Sequence, residues 1–198
     1  MNKVWQGNYE KHTTKNLFLK LLLKRFTYDI IKEIERFGPI KNLADAGCGE
    51  GFTTDRVKRA LQHLNVDAYD IQPEYINYAK THFPNISFNN LAFEKTKKRY
   101  DLVLCLEVLE HLPNPEKFLQ VLADHTIKGV IVSVPREPLF RIANIFRGKY
   151  LLNTGNTPGH INHWTKSSFT KFLKACSKDV TVRTNSLWII GVIKINGR

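Results

Sequence analysis

The chain has 198 residues, 42% of them apolar, and carries 30 basic against 18 acidic side chains for a formal charge of +12. That length and apolar content suit a single domain with a core large enough to fold unaided, and no second domain is needed. Three scattered cysteines without metal spacing fit a reducing compartment, and a polar start through Asn16 followed by an apolar run broken at Lys20 excludes a signal peptide or a membrane span, so the expectation is a cytoplasmic protein, at most peripheral to a membrane.

The charge is unevenly placed. Residues 1–41 carry a net +5, residues 42–135 a net −2, and residues 136–198 a net +9. Basic flanks around a slightly acidic centre would attract nucleic acid, an anionic lipid or a phosphorylated small molecule. A solvated basic surface with no dedicated partner is the plain alternative.

In chain order, Thr13 to Phe37 reads as one amphipathic helix. Leu19, Leu22, Leu23, Phe26, Ile30, Ile34 and Phe37 keep three-and-four spacing, and Gly38-Pro39 stops it. Lys20, Lys24, Arg25, Lys32 and Arg36 form a basic outer face, suited to solvent or to an anionic membrane. The central stretch follows: Lys41-Asn-Leu-Ala-Asp-Ala-Gly-Cys-Gly-Glu-Gly51, then a helical pattern with Val57, Leu61 and Leu64 on one face. It reads as strand, tight turn, helix. The backbone of Ala46, Gly47, Cys48, Gly49 and Gly51 can lie directly against a ligand, and the helix start turns unpaired N–H groups toward it. A dinucleotide site would want G-x-G-x-x-G. Here the third glycine comes one residue early, and Asp45 at the strand end would repel a pyrophosphate while suiting an ammonium, such as that of the methionine part of S-adenosylmethionine.

Val66 to Ile71 predicts a second strand ending in Asp70, about twenty residues past the glycines, where a carboxylate can accept both ribose hydroxyls. With Asp45, the glycine turn and Asp70 in place, the chain resembles the class I S-adenosylmethionine-dependent methyltransferases. The resemblance implies that Asp45 holds the ammonium, Gly47 to Gly51 give backbone approach, Asp70 takes the ribose, Ile71 lies against the adenine and Leu106 packs nearby. Where that family often has an acid near the adenine, this sequence reads Asn89-Asn90-Leu91-Ala92-Phe93. Main-chain groups of Leu91 or Ala92 would stand in for it. Trp5 to Lys15 is expected to fold over the cofactor.

A helix from Pro73, a strand at 86–89, a fully buried strand at 100–106, a helix from Glu116 and a strand at 130–134 continue the alternation, and a helix is expected over 167–175. The close differs, because Val180–Asn185 and Leu187–Ile195 are too near in sequence for parallel pairing and predict a hairpin. The expected fold is α/β: a seven-stranded, mostly parallel Rossmann-like sheet with a C-terminal antiparallel hairpin and helices on both faces. Within one domain, 1–39 would be a basic helical cap, 40–135 the cofactor-binding core, and 136–198 the substrate side.

After the fourth strand come Glu107, Glu110 and His111. On a helical turn, residues three and four apart share a face, so all three would converge at the mouth of the cleft. Two carboxylates so close repel unless a cation sits between them; helix capping with a packed histidine is the bland reading. A second histidine group, Gly159-His160-Ile-Asn-His163-Trp164, follows a long loop. In this pairing the chain is similar to the ubiquinone-biosynthesis O-methyltransferases and the small-RNA 2′-O-methyltransferases. That similarity implies Glu107, Glu110, His111 and His160 as ligands of Mg²⁺ or Mn²⁺, with no counterpart for His163. Without a metal, His111 is the candidate catalytic base.

The expected activity is therefore O-methylation of a small molecule, a lipid precursor or an RNA end. Arg136, Arg141, Arg147 and Lys149 are the first candidates for substrate contact. A nicotinamide-dependent oxidoreductase, or a noncatalytic basic module binding RNA or membrane, are the competing readings.

Overall fold

The computed structural model describes residues 9–139 and 159–195. Arg141, Arg147, Lys149 and the Trp5 end of the expected cover lie outside the described residues. Seven strands form one sheet: β1 (Asn42–Ala46), β2 (Asn65–Asp70), β3 (Ser87–Asn90), β4 (Tyr100–Leu106), β5 (Thr126–Pro135), β6 (Val180–Asn185) and β7 (Trp188–Lys194). The order is β3-β2-β1-β4-β5-β7-β6. The five strands from β3 to β5 in that row run parallel, and β7 is antiparallel to both β5 and β6. The expected α/β sheet with its terminal hairpin is what forms. Its direction of growth reverses between β1 and β4, the place where open α/β sheets leave a crevice at the strands' carboxyl ends.

Both faces of the sheet are covered. Alternate residues along each central strand enter opposite cores, Leu43, Leu102 and Leu104 on one side and Ala44, Val103 and Cys105 on the other. Helix α1 (Leu17–Glu35) lays Leu19, Leu23, Phe26, Ile30 and Ile34 on the first face, joined by α2 (Phe52–Ala60) and α3 (Pro73–His82). Helices α4 (Pro115–Asp124) and α5 (Lys166–Cys176) cover the second with Leu119, Leu122, Phe169 and Leu173. Full burial of one such side chain contributes about 2 kcal/mol, so the sheet is the main store of stability. Among the described residues, no helix is long and apolar enough to cross a membrane.

Two sequence boundaries move by four residues. The helix expected from Thr13 starts at Leu17, because the Asn16 side chain accepts the Leu19 N–H at 3.1 Å and caps it. Residues 9–13 form a separate helical segment. The fifth strand begins at Thr126 rather than 130, since the Thr126 hydroxyl donates to the Gly129 carbonyl at 2.8 Å and carries a less apolar stretch into the sheet.

Candidate active site

The site sits over the carboxyl ends of β1, β2 and β4. Beyond β1 the chain turns through Gly47, Gly49 and Gly51, whose φ angles are +85°, +55° and +81°. A side chain at Gly47 would meet Val108 at 2.4 Å and one at Gly51 would meet Phe88 at 2.7 Å, so the turn cannot be built from other residues. The N–H groups of Gly47 and Cys48 donate to the Tyr69 carbonyl at 2.8 and 3.0 Å, fixing the turn to β2.

Two acids flank this turn. Asp70 accepts the Gly49 N–H at 3.0 Å and the Gln72 N–H at 2.9 Å. Burial raises its pKa and those bonds oppose the rise. Asp45 is 2% exposed; its Oδ2 accepts the Thr54 hydroxyl at 2.6 Å, whereas its Oδ1 is buried without a hydrogen-bond partner. Burial lifts its pKa to about 6, with Thr54 pulling the other way. A buried carboxylate oxygen without a donor is costly, and an incoming ammonium would satisfy it. Ile71 and Leu91 stand exposed at the rim. The Leu91 N–H is already given to the Asp70 and Asn89 carbonyls at 3.1 and 3.0 Å. Of the two main-chain groups expected near an adenine, this leaves Ala92.

Across the crevice, Glu107 follows β4 with φ +58°, a left-handed conformation that costs a non-glycine residue about 1 kcal/mol or more. Its carboxylate accepts hydrogen bonds from Trp188 Nε1 and from Lys11 Nζ. Burial pushes its pKa up, but the Lys11 charge and these two bonds outweigh that and hold it below the usual carboxylate range. Glu110 is 1% exposed, with Oε2 buried and unpartnered, and burial followed by the Glu107 charge lifts its pKa well above the ordinary value.

The expectation that Glu107, Glu110 and His111 share a helical face is corrected here. The 3₁₀ turn begins only at Leu109, after the left-handed Glu107, so 107 and 110 are not on one helix. The group that does assemble is Glu110, His111 and His160, whose ligand atoms all lie within 4.8 Å of one another, with Glu107 engaged by Lys11 instead. The Glu110 carbonyl accepts the Ile161 and Asn162 N–H groups at 2.9 and 3.1 Å, and the Asn162 amide donates to the Leu109 and Leu112 carbonyls at 3.1 and 2.7 Å. These bonds carry His160 to His111, ring centroids 4.8 Å apart. His111 Nδ1 lies 2.9 Å from the Gly159 carbonyl, which can only accept, so Nε2 is left to face a ligand. Burial, then the neighbouring His111, lowers the His160 pKa to about 4. His163 turns away, to Glu137 at 3.8 Å. Arg136 directly follows β5 and gives its N–H to the Leu187 carbonyl at 2.8 Å.

Three contributors escaped sequence reasoning: Lys11, Trp188 and Asn162. Only Asn162 had a sequence signal, its place between two histidines. Segment 9–13 does reach across the crevice: His12 stacks on Phe52 at 4.9 Å, Tyr9 meets Tyr78 at 5.7 Å, and Lys11 extends to Glu107. Burial, followed by Lys11 and Arg56, depresses the His12 pKa to about 3, so its ring is neutral.

Comparison with known proteins adds a family. The family model described as a methyltransferase domain matches residues 21–176. The ubiquinone biosynthesis O-methyltransferase of Rickettsia canadensis (strain McKiel) is 32% identical over 154 residues, which cover 72% of this chain and 63% of the relative. That of Shewanella pealeana (strain ATCC 700345 / ANG-SQ1) is 28% identical over 123 residues, 57% of this chain and 51% of the relative. The chain thus spans less than two thirds of the length of these curated relatives. Among solved structures, the magnesium protoporphyrin IX methyltransferase of Synechocystis PCC 6803 with bound SAH superposes with TM-score 0.70 at 16% identity, over 98% of this chain and 95% of that one. The methyltransferase domain of bacterial CtHen1 gives 0.71 at 20% identity, over 88% of this chain and all of that one. At such identities the likeness is one of fold.

Proposed function

Because the chain belongs to the family of methyltransferase domains, we propose that it moves the methyl group of S-adenosylmethionine to a hydroxyl oxygen of a small or lipid-linked acceptor. The observation that carries this reading is the buried, donorless Oδ1 of Asp45 beside the glycine turn, which a ligand ammonium would satisfy. A pyrophosphate there would meet a negative charge, which removes the nicotinamide alternative. Bound in this crevice, the sulfonium supplies an activated methyl carbon. Asp45 takes the ammonium, Gly47, Cys48 and Gly49 lie against the ligand, Asp70 offers its remaining lone pairs to the ribose, and Ile71 and Ala92 border the adenine.

The acceptor side falls to the second group. Glu110, His111 and His160 fit a divalent ion such as Mg²⁺ or Mn²⁺: their ligand atoms converge, Glu110 Oε2 lacks a partner, and the His111 ring is already oriented by the Gly159 carbonyl. Glu107 adds its negative charge beside them. Such an ion would lower the pKa of a chelating hydroxyl and fix its oxygen. Without such an ion, His111 Nε2 would be the proton acceptor on this face. Orienting the oxygen in line with the methyl carbon is much of the catalysis in such a displacement.

Titration calorimetry with S-adenosylhomocysteine tests the reading. The intact protein should bind it and the Asp45→Asn variant should bind it about 100-fold more weakly; tight binding of NADH in its place would overturn the proposal. A screen of catechols, lipid-linked phenols and RNA 3′ ends then ranks the acceptors.

A further inference from the structure

Helix α1 has two apolar faces, and the core uses only one. Leu19, Leu23, Phe26, Ile30 and Ile34 are buried, yet Leu17, Phe18 and Leu21 remain 70%, 69% and 55% exposed. They are three of the nine large apolar side chains exposed among the described residues, and they fall within five consecutive positions. Around them stand Lys15, Lys20, Lys24 and Arg25, all exposed, and the first acid of α1 is Asp29. Lys15, Lys20 and Lys24 make no ion pair among the described residues, while Arg25 is shared with Asp29 at 3.4 Å. A helix start normally favours acids through its dipole, and this first turn has none.

We propose that the N-terminal half of α1 is a membrane-docking surface: Leu17, Phe18 and Leu21 enter the acyl boundary of an anionic bilayer while Lys15, Lys20, Lys24 and Arg25 meet the headgroups. An apolar tip ringed by cations is the composition that lies in such an interface. A second copy of the chain is a poorer occupant, since a twofold contact would set each cation against its own kind. RNA would use the cations but gains little from leucines, which offer no stacking face. Only residues 14–16 separate this surface from the segment that reaches Glu107 across the crevice. A lipid-linked acceptor would thus be met where it resides. The inference rests on the α1 surface and does not require the methyl-transfer reading.

Co-sedimentation of the full chain with vesicles, without cofactor, tests it. Vesicles containing about one third phosphatidylglycerol should capture the protein, and pure phosphatidylcholine vesicles should not. The Leu17→Ser/Leu21→Ser variant should lose about tenfold or more of that partition, and the Lys20→Glu/Lys24→Glu variant roughly 600-fold, at about fivefold per neutralised charge and as much again for reversal. Phe18→Ser is the single-site check, and circular dichroism with a thermal midpoint reports folding of each. Unchanged partition in the leucine variant, equal capture by both vesicle types, or dimerisation through this face with no capture would overturn the proposal. So would binding that RNA abolishes in all variants alike.

Discussion

The two sides of the crevice are built in opposite ways. On the cofactor side, the turn from Ala46 to Gly51 is held by backbone bonds to β2, and its acids are placed by strands only twenty-odd residues apart. The Oδ1 oxygen of Asp45 is buried there without a donor. The acceptor side draws on four distant segments, around residue 11, residues 107–111, residues 159–162 and Trp188 on β7, and long-range side-chain bonds hold it together. The first side is held by its own backbone. The second is a network in which each member depends on another, so substitutions there should couple.

That contrast can be broken from either end. The largest effect is expected at Asp45: Asp45→Asn should weaken S-adenosylhomocysteine binding about 100-fold by calorimetry, because the ligand ammonium loses the buried counter-charge beside it. On the other side, Glu110→Gln or His160→Ala should lower turnover and Mn²⁺ affinity by about 10- to 100-fold while leaving S-adenosylhomocysteine affinity within about twofold. If cofactor binding collapsed as well, the two sides would not be separable. Chelation with EDTA should reproduce the turnover loss in the wild type.

Smaller effects probe the network. Lys11→Met leaves the partly buried Glu107 carboxylate without its cation and should cost about 2 kcal/mol of stability in a denaturant titration, and Trp188→Phe, which removes one bond to a charged group, about 1.5 kcal/mol. The double variant should cost less than the sum if both act through Glu107. Asn162→Ala should cost about 1 kcal/mol and lower turnover more than cofactor affinity, since its two bonds carry the His160 loop.

The pH dependence separates the sides once more. The Asp45 pKa is raised in the folded protein from 3.8 to about 6. The folded state therefore binds that proton more tightly than the unfolded one, and this group's effect on the free protein is to add stability as pH falls from above 6 toward 4. Ligand binding needs the carboxylate, so affinity should fall about tenfold per pH unit below 6. Asp45→Asn should remove both trends. An affinity that stays flat from pH 7 to 5 would show that Asp45 is not the counter-charge.

Much of this protein is legible in its residues alone. The glycines with Asp45 before them, the twenty-residue step to Asp70, the apolar run of β4 and the short link between β6 and β7 are local patterns, and each is set by backbone sterics or by strand pairing that acts over a few residues. These fixed the α/β sheet, its terminal hairpin and the site of the crevice. The histidine at 160 was legible as a partner for His111, but only the fold made the meeting, through Asn162 and the Glu110 carbonyl. What tertiary structure alone decided is the state of the acids. Glu107 bends into a left-handed conformation and takes Lys11 and Trp188, so the expected foursome becomes Glu110, His111 and His160. Burial and charge partners come from segments 81 to 96 residues away, and no spacing along the chain encodes which of two neighbouring carboxylates a distant lysine will neutralise.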